Sequence, residues 1–327
     1  MNSQDNARTS DAATRSSRCL SVVIPVFNEE SNLPPLYDRL KAALDAYGTP
    51  HELLFIDDGS IDNSFRVLKE LHERDSRVRV VRFARNFGQQ MAVAAGLRYA
   101  RGDVIVLIDA DLQTMPEEIP ILVDKLAEGY DIVYGIRQRR KDPLLRRIGS
   151  WCMSHLLYRI TGIDIPDSAS GFIALNRDFV NSINLFNEKS KYFSGLFAWL
   201  SYGRWAAAPI SHAPRRAGMS KYSVPQLIGL TLNFVCSFTT LPLRLASYLG
   251  LALAFVSSIA LAGYGALRLA GVAGSLSSAG AILAVVVLLS GVQLICIGIL
   301  GEYLARVYAE VKEQPSYVVR EVLDKES

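Results

Sequence analysis

One stretch limits what this chain can fold into more than any other: Gly102-Asp-Val-Ile-Val-Leu-Ile-Asp-Ala-Asp-Leu-Gln113. Val104 to Ile108 is a short apolar run rich in β-branched residues, the pattern of a strand buried on both faces of a parallel sheet. It runs directly into Asp109, Ala110, Asp111 and Gln113. Ligand sites of open α/β sheets lie at the carboxyl ends of their strands. Two carboxylates separated by one residue at such an end can hold a hard divalent cation through oxygen. The plainer reading is a polar strand-to-helix turn, with Asp111 capping the helix after Met115-Pro116. The surrounding motifs decide between the two.

Strand and helix patterns alternate along the first part of the chain. Leu20 to Val26 reads as the first strand, followed by a helical pattern to Tyr47. His51 to Ile56 is a second strand and Val78 to Phe83 a third, with helices predicted at Ile61 to Arg74 and Gly88 to Ala100. After the central strand, Pro116 to Glu128 reads as a helix and Asp131 to Ile136 as a strand. This alternation predicts a mainly parallel α/β sheet with right-handed crossovers. No Gly-x-Gly-x-x-Gly follows the first strand, which argues against the usual dinucleotide-binding fold. Further on, Pro143 to Thr161 and Ser190 to Tyr202 read as helices, Phe172 to Asn176 as an edge strand and Trp205 to Ala213 as extended.

The composition then changes. Ser223 to Leu241 carries no charge and is broken by Pro225 and Pro242, which suits a helix lying in a membrane interface. Leu245 to Leu267 and Ala281 to Leu300 are uncharged apolar runs. Each is long enough to cross a bilayer at about 20 residues per span. Lys and Arg are dense before Ala246 and present after Glu302, while the connecting turn has only Arg268 nearby. The positive-inside rule then puts the first domain and the C-terminus in the cytoplasm. Residues 1–18 are polar without an apolar core and read as a disordered tail. The expected organisation is that tail, an α/β domain over 19–222, an interfacial segment over 223–242, a transmembrane hairpin over 243–301 and a cytoplasmic segment over 302–327. Four scattered cysteines make no metal or disulfide pattern, and a net charge of +3 gives no reason to expect nucleic acid.

Several motifs occur together in one order: Ser21-Val-Val-Ile-Pro-Val-Phe-Asn-Glu-Glu30, Ile56-Asp-Asp-Gly-Ser60 with Asp62, Arg85-Asn-Phe-Gly88 and Asp109-Ala-Asp-Leu-Gln113. They resemble the family 2 glycosyltransferases of the GT-A fold, and more narrowly the polyprenyl-phosphate glycosyltransferases. Arg215-Arg-Ala-Gly-Met-Ser-Lys-Tyr222 and Leu300-Gly-Glu-Tyr-Leu-Ala-Arg306 extend the likeness, which covers nearly the whole chain after Cys19. The resemblance implies a Rossmann-like GT-A catalytic domain with two C-terminal transmembrane helices. It implies that Pro25, Asn28, Glu29, Asp57, Asp58 and Asp109 touch the nucleotide sugar, and that Arg215, Ser220 and Lys221 close over its diphosphate. Asp109, Asp111 and Gln113 match the positions for Mg2+ or Mn2+. Arg137, Arg146 and Arg147 are the expected partners of the acceptor phosphate, whereas Arg139, Arg140 and Lys141 suit anionic headgroups. Asp109, Asp111 and Arg137 are the expected catalytic residues.

The implied reaction moves a sugar, by expectation glucose from UDP, to undecaprenyl phosphate at the cytoplasmic membrane face with inversion. The implied partners are the nucleotide sugar, the lipid phosphate, the membrane and further copies of the chain, a tetramer by resemblance. Aminoarabinose or mannose transfer is the nearest alternative. Processive polysaccharide synthases carry Gln-x-x-Arg-Trp, but Ser201 stands where that Gln would precede Arg204-Trp205. A scaffold without activity is the alternative of another class, and the intact Asp109-x-Asp111 argues against it. Ile173 replaces an Arg common among relatives, so no phosphate role falls there.

Overall fold

The computed structural model describes residues 19–137, 169–186, 193–201, 203–211, 241–270, 278–312 and 315–325. The described residues before 212 and after 314 form one compact unit, and the long helices form a second.

The first unit is built on an eight-stranded sheet. Its strands are β1 (Leu20–Val26), β2 (His51–Asp57), β3 (Val78–Phe83), β4 (Val104–Leu107), β5 (Ile132–Arg137), β6 (Ala169–Asn176), β7 (Trp205–Ile210) and β8 (Val319–Leu323). Their order across the sheet is β7-β5-β6-β4-β1-β2-β3-β8. β4, β1, β2 and β3 run parallel, as the alternation of patterns predicted. The helices are α1 (Leu33–Tyr47), α2 (Ser64–Arg74), α3 (Gln89–Tyr99), α4 (Ile119–Leu126), α5 (Arg177–Asn184) and α6 (Phe193–Ser201).

Both faces of the sheet are covered. Val22, Ile24, Leu53, Phe55, Val104 and Val106 point into one core with Leu36, Leu40, Leu68 and Leu122. Val23, Leu54, Ile56, Ile105 and Leu107 point into the other with Ala92, Ala95, Phe179 and Phe197. Alternate residues of one strand thus serve opposite cores, which explains why the central strands are apolar without a break. The small residues of α3 have a matching cause. A Cβ on Gly96 would lie 2.1 Å from Val23 Cγ1, so that helix sits tight against β1.

Three local features differ from the sequence-based expectation. β6 was expected at an edge but lies between β4 and β5, antiparallel to both. Phe172 and Ala174 bury on one face, and Ile173 and Leu175 on the other. Burial on both faces is what an interior strand requires. The helix predicted from Pro116 begins as a 3-10 turn, Pro116–Glu118, and becomes α-helical only from Ile119. Pro120 causes this, because proline has no N–H to give and fits only a first turn. β8 was not foreseen. It pairs antiparallel with β3 and is mostly exposed, so Val-Arg-Glu-Val-Leu shows no core periodicity.

The second unit contains α7 (Leu241–Leu269) and α8 (Ser278–Val311). Both predicted spans fall inside these unbroken helices. Among the described residues, Leu288–Ala305 is the one helical stretch long and apolar enough to cross a membrane, and Leu243–Leu253 is a shorter apolar one. Large apolar side chains stand exposed along both helices, Leu251, Phe255 and Leu294 among them. The expected tail over 1–18, the predicted helix over 143–161, most of the interfacial segment, and Arg139, Arg140 and Lys141 lie outside the described residues.

Candidate active site

The carboxyl ends of β1, β2 and β4 lie side by side, because the three strands are parallel neighbours. The loops that leave them carry most of the residues singled out from the sequence. Two of these loops are bonded to each other. Asn28 donates its N–H to Ser60 Oγ at 3.1 Å and accepts the Ile61 N–H at 2.9 Å. Glu29 N–H donates to Ser64 Oγ at 2.8 Å, and Asn63 N–H donates to Glu30 Oε2 at 2.8 Å. Pro25 is the penultimate residue of β1, partly buried ahead of this loop. The Glu29 carboxylate accepts from Asn32 Nδ2 at 2.6 Å, so it is turned toward the start of α1.

Backbone strain concentrates here. Among the described residues, the non-glycine positions with positive φ are Asn28 at 57° and Leu112 at 59°. One follows β1 and the other sits inside Asp109-Ala-Asp-Leu-Gln113. A non-glycine residue held there costs about 1–3 kcal/mol, and such costs collect at functional sites. Gly59, at φ 66°, is needed for a second reason. A Cβ there would lie 2.4 Å from the carbonyl carbon of Arg85, so the loops after β2 and β3 touch backbone to backbone.

Asp57 and Asp58 do not face solvent. Asp57 is fully buried, accepts the Ser60 N–H at 3.0 Å and has Arg82 Nε at 3.3 Å. Asp58 is 2% exposed. Its two oxygens accept the N–H groups of Phe87 at 2.7 Å and Gly88 at 2.9 Å. Burial pushes its carboxyl above the usual carboxylate range, against the pull of these two bonds. Asp58 therefore acts as a clasp between the second strand end and the Arg85-Asn-Phe-Gly88 loop. Asp62, farther along the same loop, accepts the Ser64 N–H at 3.0 Å where α2 begins.

Asp109 and Asp111 are partly exposed beyond β4. Asp109 Oδ1 accepts from Gln89 Nε2 at 2.8 Å, and Asp111 Oδ1 accepts the Gln113 N–H at 3.1 Å. Gly171 of β6 backs Asp109 so closely that a Cβ there would stand 2.9 Å from Asp109 Oδ2. The donor set is hard oxygen, at a strand end, with two carboxylates one residue apart. This fits Mg2+ or Mn2+, which bind through one or two carboxylates and complete their shell with water and substrate phosphate. Among the described residues no group of three His, Cys, Asp or Glu side chains forms a closed cage. Gln89 and Gly171 escaped the sequence reading. The available signal was a glycine inside a strand, which marks a close approach by another group. Arg137 closes β5. Arg146, Arg147, Arg215, Ser220 and Lys221 lie outside the described residues.

A mainly parallel sheet with interlocked loops and an acid pair at its central strand end is an α/β architecture with its candidate site at the strand ends. The chain belongs to glycosyl transferase family 2, whose family model matches residues 21–183. It is 36% identical over 304 residues to an uncharacterized glycosyltransferase of Synechocystis sp., covering 93% of this chain and 95% of that one. It is 39% identical over 316 residues to the undecaprenyl-phosphate 4-deoxy-4-formamido-L-arabinose transferase of Salmonella paratyphi A, covering 94% of each. Among solved structures, mannosyl-3-phosphoglycerate synthase from Rubrobacter xylanophilus shares the fold at a TM-score of 0.50 and 16% identity, over 71% of this chain and 75% of that one. The enzyme is thus a glycosyltransferase with a GT-A fold.

Proposed function

We propose that this glycosyltransferase moves a sugar from a nucleotide diphosphate sugar to polyprenyl phosphate at the cytoplasmic face of a membrane. The observation that carries the reading is Asp109-Ala-Asp111 at the carboxyl end of the central strand, beside the bonded loops after β1 and β2. Relatives named for undecaprenyl phosphate, matching along nearly the whole chain, support the acceptor class.

The roles follow from chemistry. The donor lies over the ends of β1, β2 and β4, against Asn28 and the loop that Asp58 clasps. Asp57 and Asp58 serve it by fixing backbone. Asp109 and Asp111, with Gln113 beside them, hold a divalent cation, which when bound supplies positive charge at the leaving nucleoside diphosphate. Arg215, Ser220 and Lys221 add hydrogen bonds and charge to the same diphosphate as the bond breaks. Arg137, with Arg146 and Arg147, receives the acceptor phosphate. That nucleophile needs no strong base, since a phosphomonoester with a second pKa of about 6 is largely ionised at neutral pH. In-line attack inverts the anomeric centre.

The membrane reading gains support from connectivity. β7 and β8 belong to one sheet, and α7 and α8 lie between them in sequence. A chain that leaves that sheet, enters lipid and returns to it must cross an even number of times. If Leu288–Ala305 spans the bilayer, a second crossing lies in the same connection, and α7, with its apolar Leu243–Leu253, supports the reading as that crossing. The density of Lys and Arg supports a cytoplasmic position for the sheet.

For the sugar, glucose from UDP-glucose is the first reading, resting on the resemblance of Tyr192-Phe-Ser-Gly-Leu-Phe-Ala-Trp199 to bactoprenol glucosyltransferases. A second is favoured by the 39%-identical relatives, which are named for a formamido-arabinose. Purified full-length enzyme, given undecaprenyl phosphate and a panel of UDP- and GDP-sugars, should make a lipid-linked sugar from one of them. UDP-glucose as that donor supports the first reading, and UDP-formamido-arabinose the second. Transfer only to a soluble hydroxyl acceptor would overturn both.

A further inference from the structure

We infer that Tyr317, on the segment that follows α8, is a positioning residue for the donor site. The family model ends at residue 183, so Tyr317 lies outside the region that defines the family. Its ring stacks on Phe83, the last residue of β3, at 4.9 Å between centroids and 18° between planes. Phe83 meets Phe87 edge-on at 5.8 Å and 88°. The Arg85 guanidinium lies over the Phe87 ring, 4.8 Å from its centroid. These three rings and one cation form a continuous ladder. It runs from the C-terminal segment to an exposed positive charge in the loop after β3.

The backbone runs beside the ladder. Ala84 N–H donates to Val318 O at 2.9 Å, continuing the β3–β8 pairing past the strand end. Farther along the same loop, the Phe87 and Gly88 amides are the two that Asp58 accepts. The residue after them, Gln89, donates to Asp109. The loop from Ala84 to Gly88, with Gln89 at the start of α3, therefore has the C-terminal segment on one side and both acidic strand ends on the other. Gly59 admits no slack between that loop and the β2 turn, as its missing Cβ shows. Tyr317 is the aromatic floor of this arrangement, packed like Phe87 against the buried cluster that holds Phe83.

A smaller residue at 317 leaves Phe83 without the ring stacked on it, and Phe83 in turn holds Phe87 less firmly beneath Arg85. The chain that emerges from the membrane-type helices thus completes the donor site. This rests on the reading of the strand-end loops as that site. The role is orientation of a cation and of two amides, so it should appear in donor affinity before it appears in turnover.

The test uses the full-length enzyme with Tyr317→Phe and Tyr317→Ala. Tyr317→Ala should raise the KM for the sugar nucleotide by about three- to tenfold, the scale of one lost aromatic or cation–π contact. Its kcat and its KM for polyprenyl phosphate should stay near wild type. Tyr317→Phe, which keeps the ring, should restore the donor KM. Hydrogen exchange supplies a readout independent of transfer. The Phe87 and Gly88 amides should exchange faster in Tyr317→Ala, while the Ile108 amide, bonded to Val23 O within the sheet, should not change. If Tyr317→Ala does not fold, Tyr317→Leu keeps most of the volume without the ring plane and reads the same two quantities. Unchanged exchange at Phe87 and Gly88 overturns the inference, as does an equal rise in donor KM for Phe and Ala. Faster exchange in an enzyme whose wild type uses no nucleotide sugar supports the coupling and counts against the donor reading alone.

Discussion

At the scale of single residues, the site is defined by where side chains are missing as much as by where they act. Gly171 is the clearest case. A methyl group there would meet Asp109 Oδ2 at 2.9 Å, closer than carbon and oxygen rest. The carboxylate would have to turn, and Gln89 would lose its partner. Gly171→Ala should therefore lower kcat by about tenfold or more, given that a misplacement near 1 Å can cost a hundredfold. Its melting temperature should stay within a few degrees of wild type, because β6 keeps its ladder. Steady-state kinetics and a thermal melt on one preparation check both halves. The acid pair itself was legible in the sequence, since Asp-x-Asp needs only the apolar strand run from Val104 onward before it. The clasp by Asp58 was not. A carboxylate bonding amides about 30 residues away leaves no local pattern.

At the scale of elements, the strands whose sequences serve two cores were the most readable. β1 and β3 fall where the sequence placed them, because Val22, Ile24, Val78 and Val80 enter one apolar layer and Val23, Val81 and Phe83 the other. β6 was readable as a strand, yet its place was not, since pairing order depends on crossovers that no local run encodes. β8 was invisible for the opposite reason. Much of what holds it is a charge network, with Asp324 bonded to Arg79 at 2.9 Å and to Arg101 at 2.8 Å, and Arg79 bonded to Glu52 at 2.6 Å. A comparable cluster fixes the end of α2. Asp75 accepts from Tyr37 Oη at 2.9 Å, from Arg77 N at 2.9 Å, and from Arg77 Nε and Nη2 at 3.0 and 2.8 Å. Hydrogen bonds from Arg77, with Tyr37 adding to them, hold the Asp75 carboxyl well below the usual carboxylate range. A depressed acid stabilises the fold above its unfolded pKa, near 3.8, and loses that contribution as pH falls toward the folded value. Asp75→Asn should cost about 2 kcal/mol at pH 7, the scale of hydrogen bonds to a charged group. The gap to wild type should narrow below pH 4. Unfolding of detergent-solubilised protein at pH 7 and pH 3.5 reads this, and a gap that widens at low pH would contradict it.

At the scale of the whole molecule, a parallel sheet gathers its strand ends on one edge, and a lipid-bound phosphate can rise only slightly above a bilayer. An enzyme for that acceptor has to bring the two together, and a sheet whose chain passes through long apolar helices and then returns to add a final strand is suited to it. Composition made the helices plain, because uncharged runs of this length are rare in soluble domains. The return of the chain to the sheet needed the structure. The central claim is that Asp109 and Asp111 form the centre of sugar transfer to a polyprenyl phosphate. It is tested most directly by following labelled sugar from its nucleotide into lipid, with Mg2+ or Mn2+, in wild-type enzyme and Asp111→Asn purified in parallel. Wild type should give lipid-linked product and Asp111→Asn at least a hundredfold less, about 3 kcal/mol of transition-state stabilisation, with the melting temperature unchanged. Near-normal transfer by Asp111→Asn at saturating metal would contradict it.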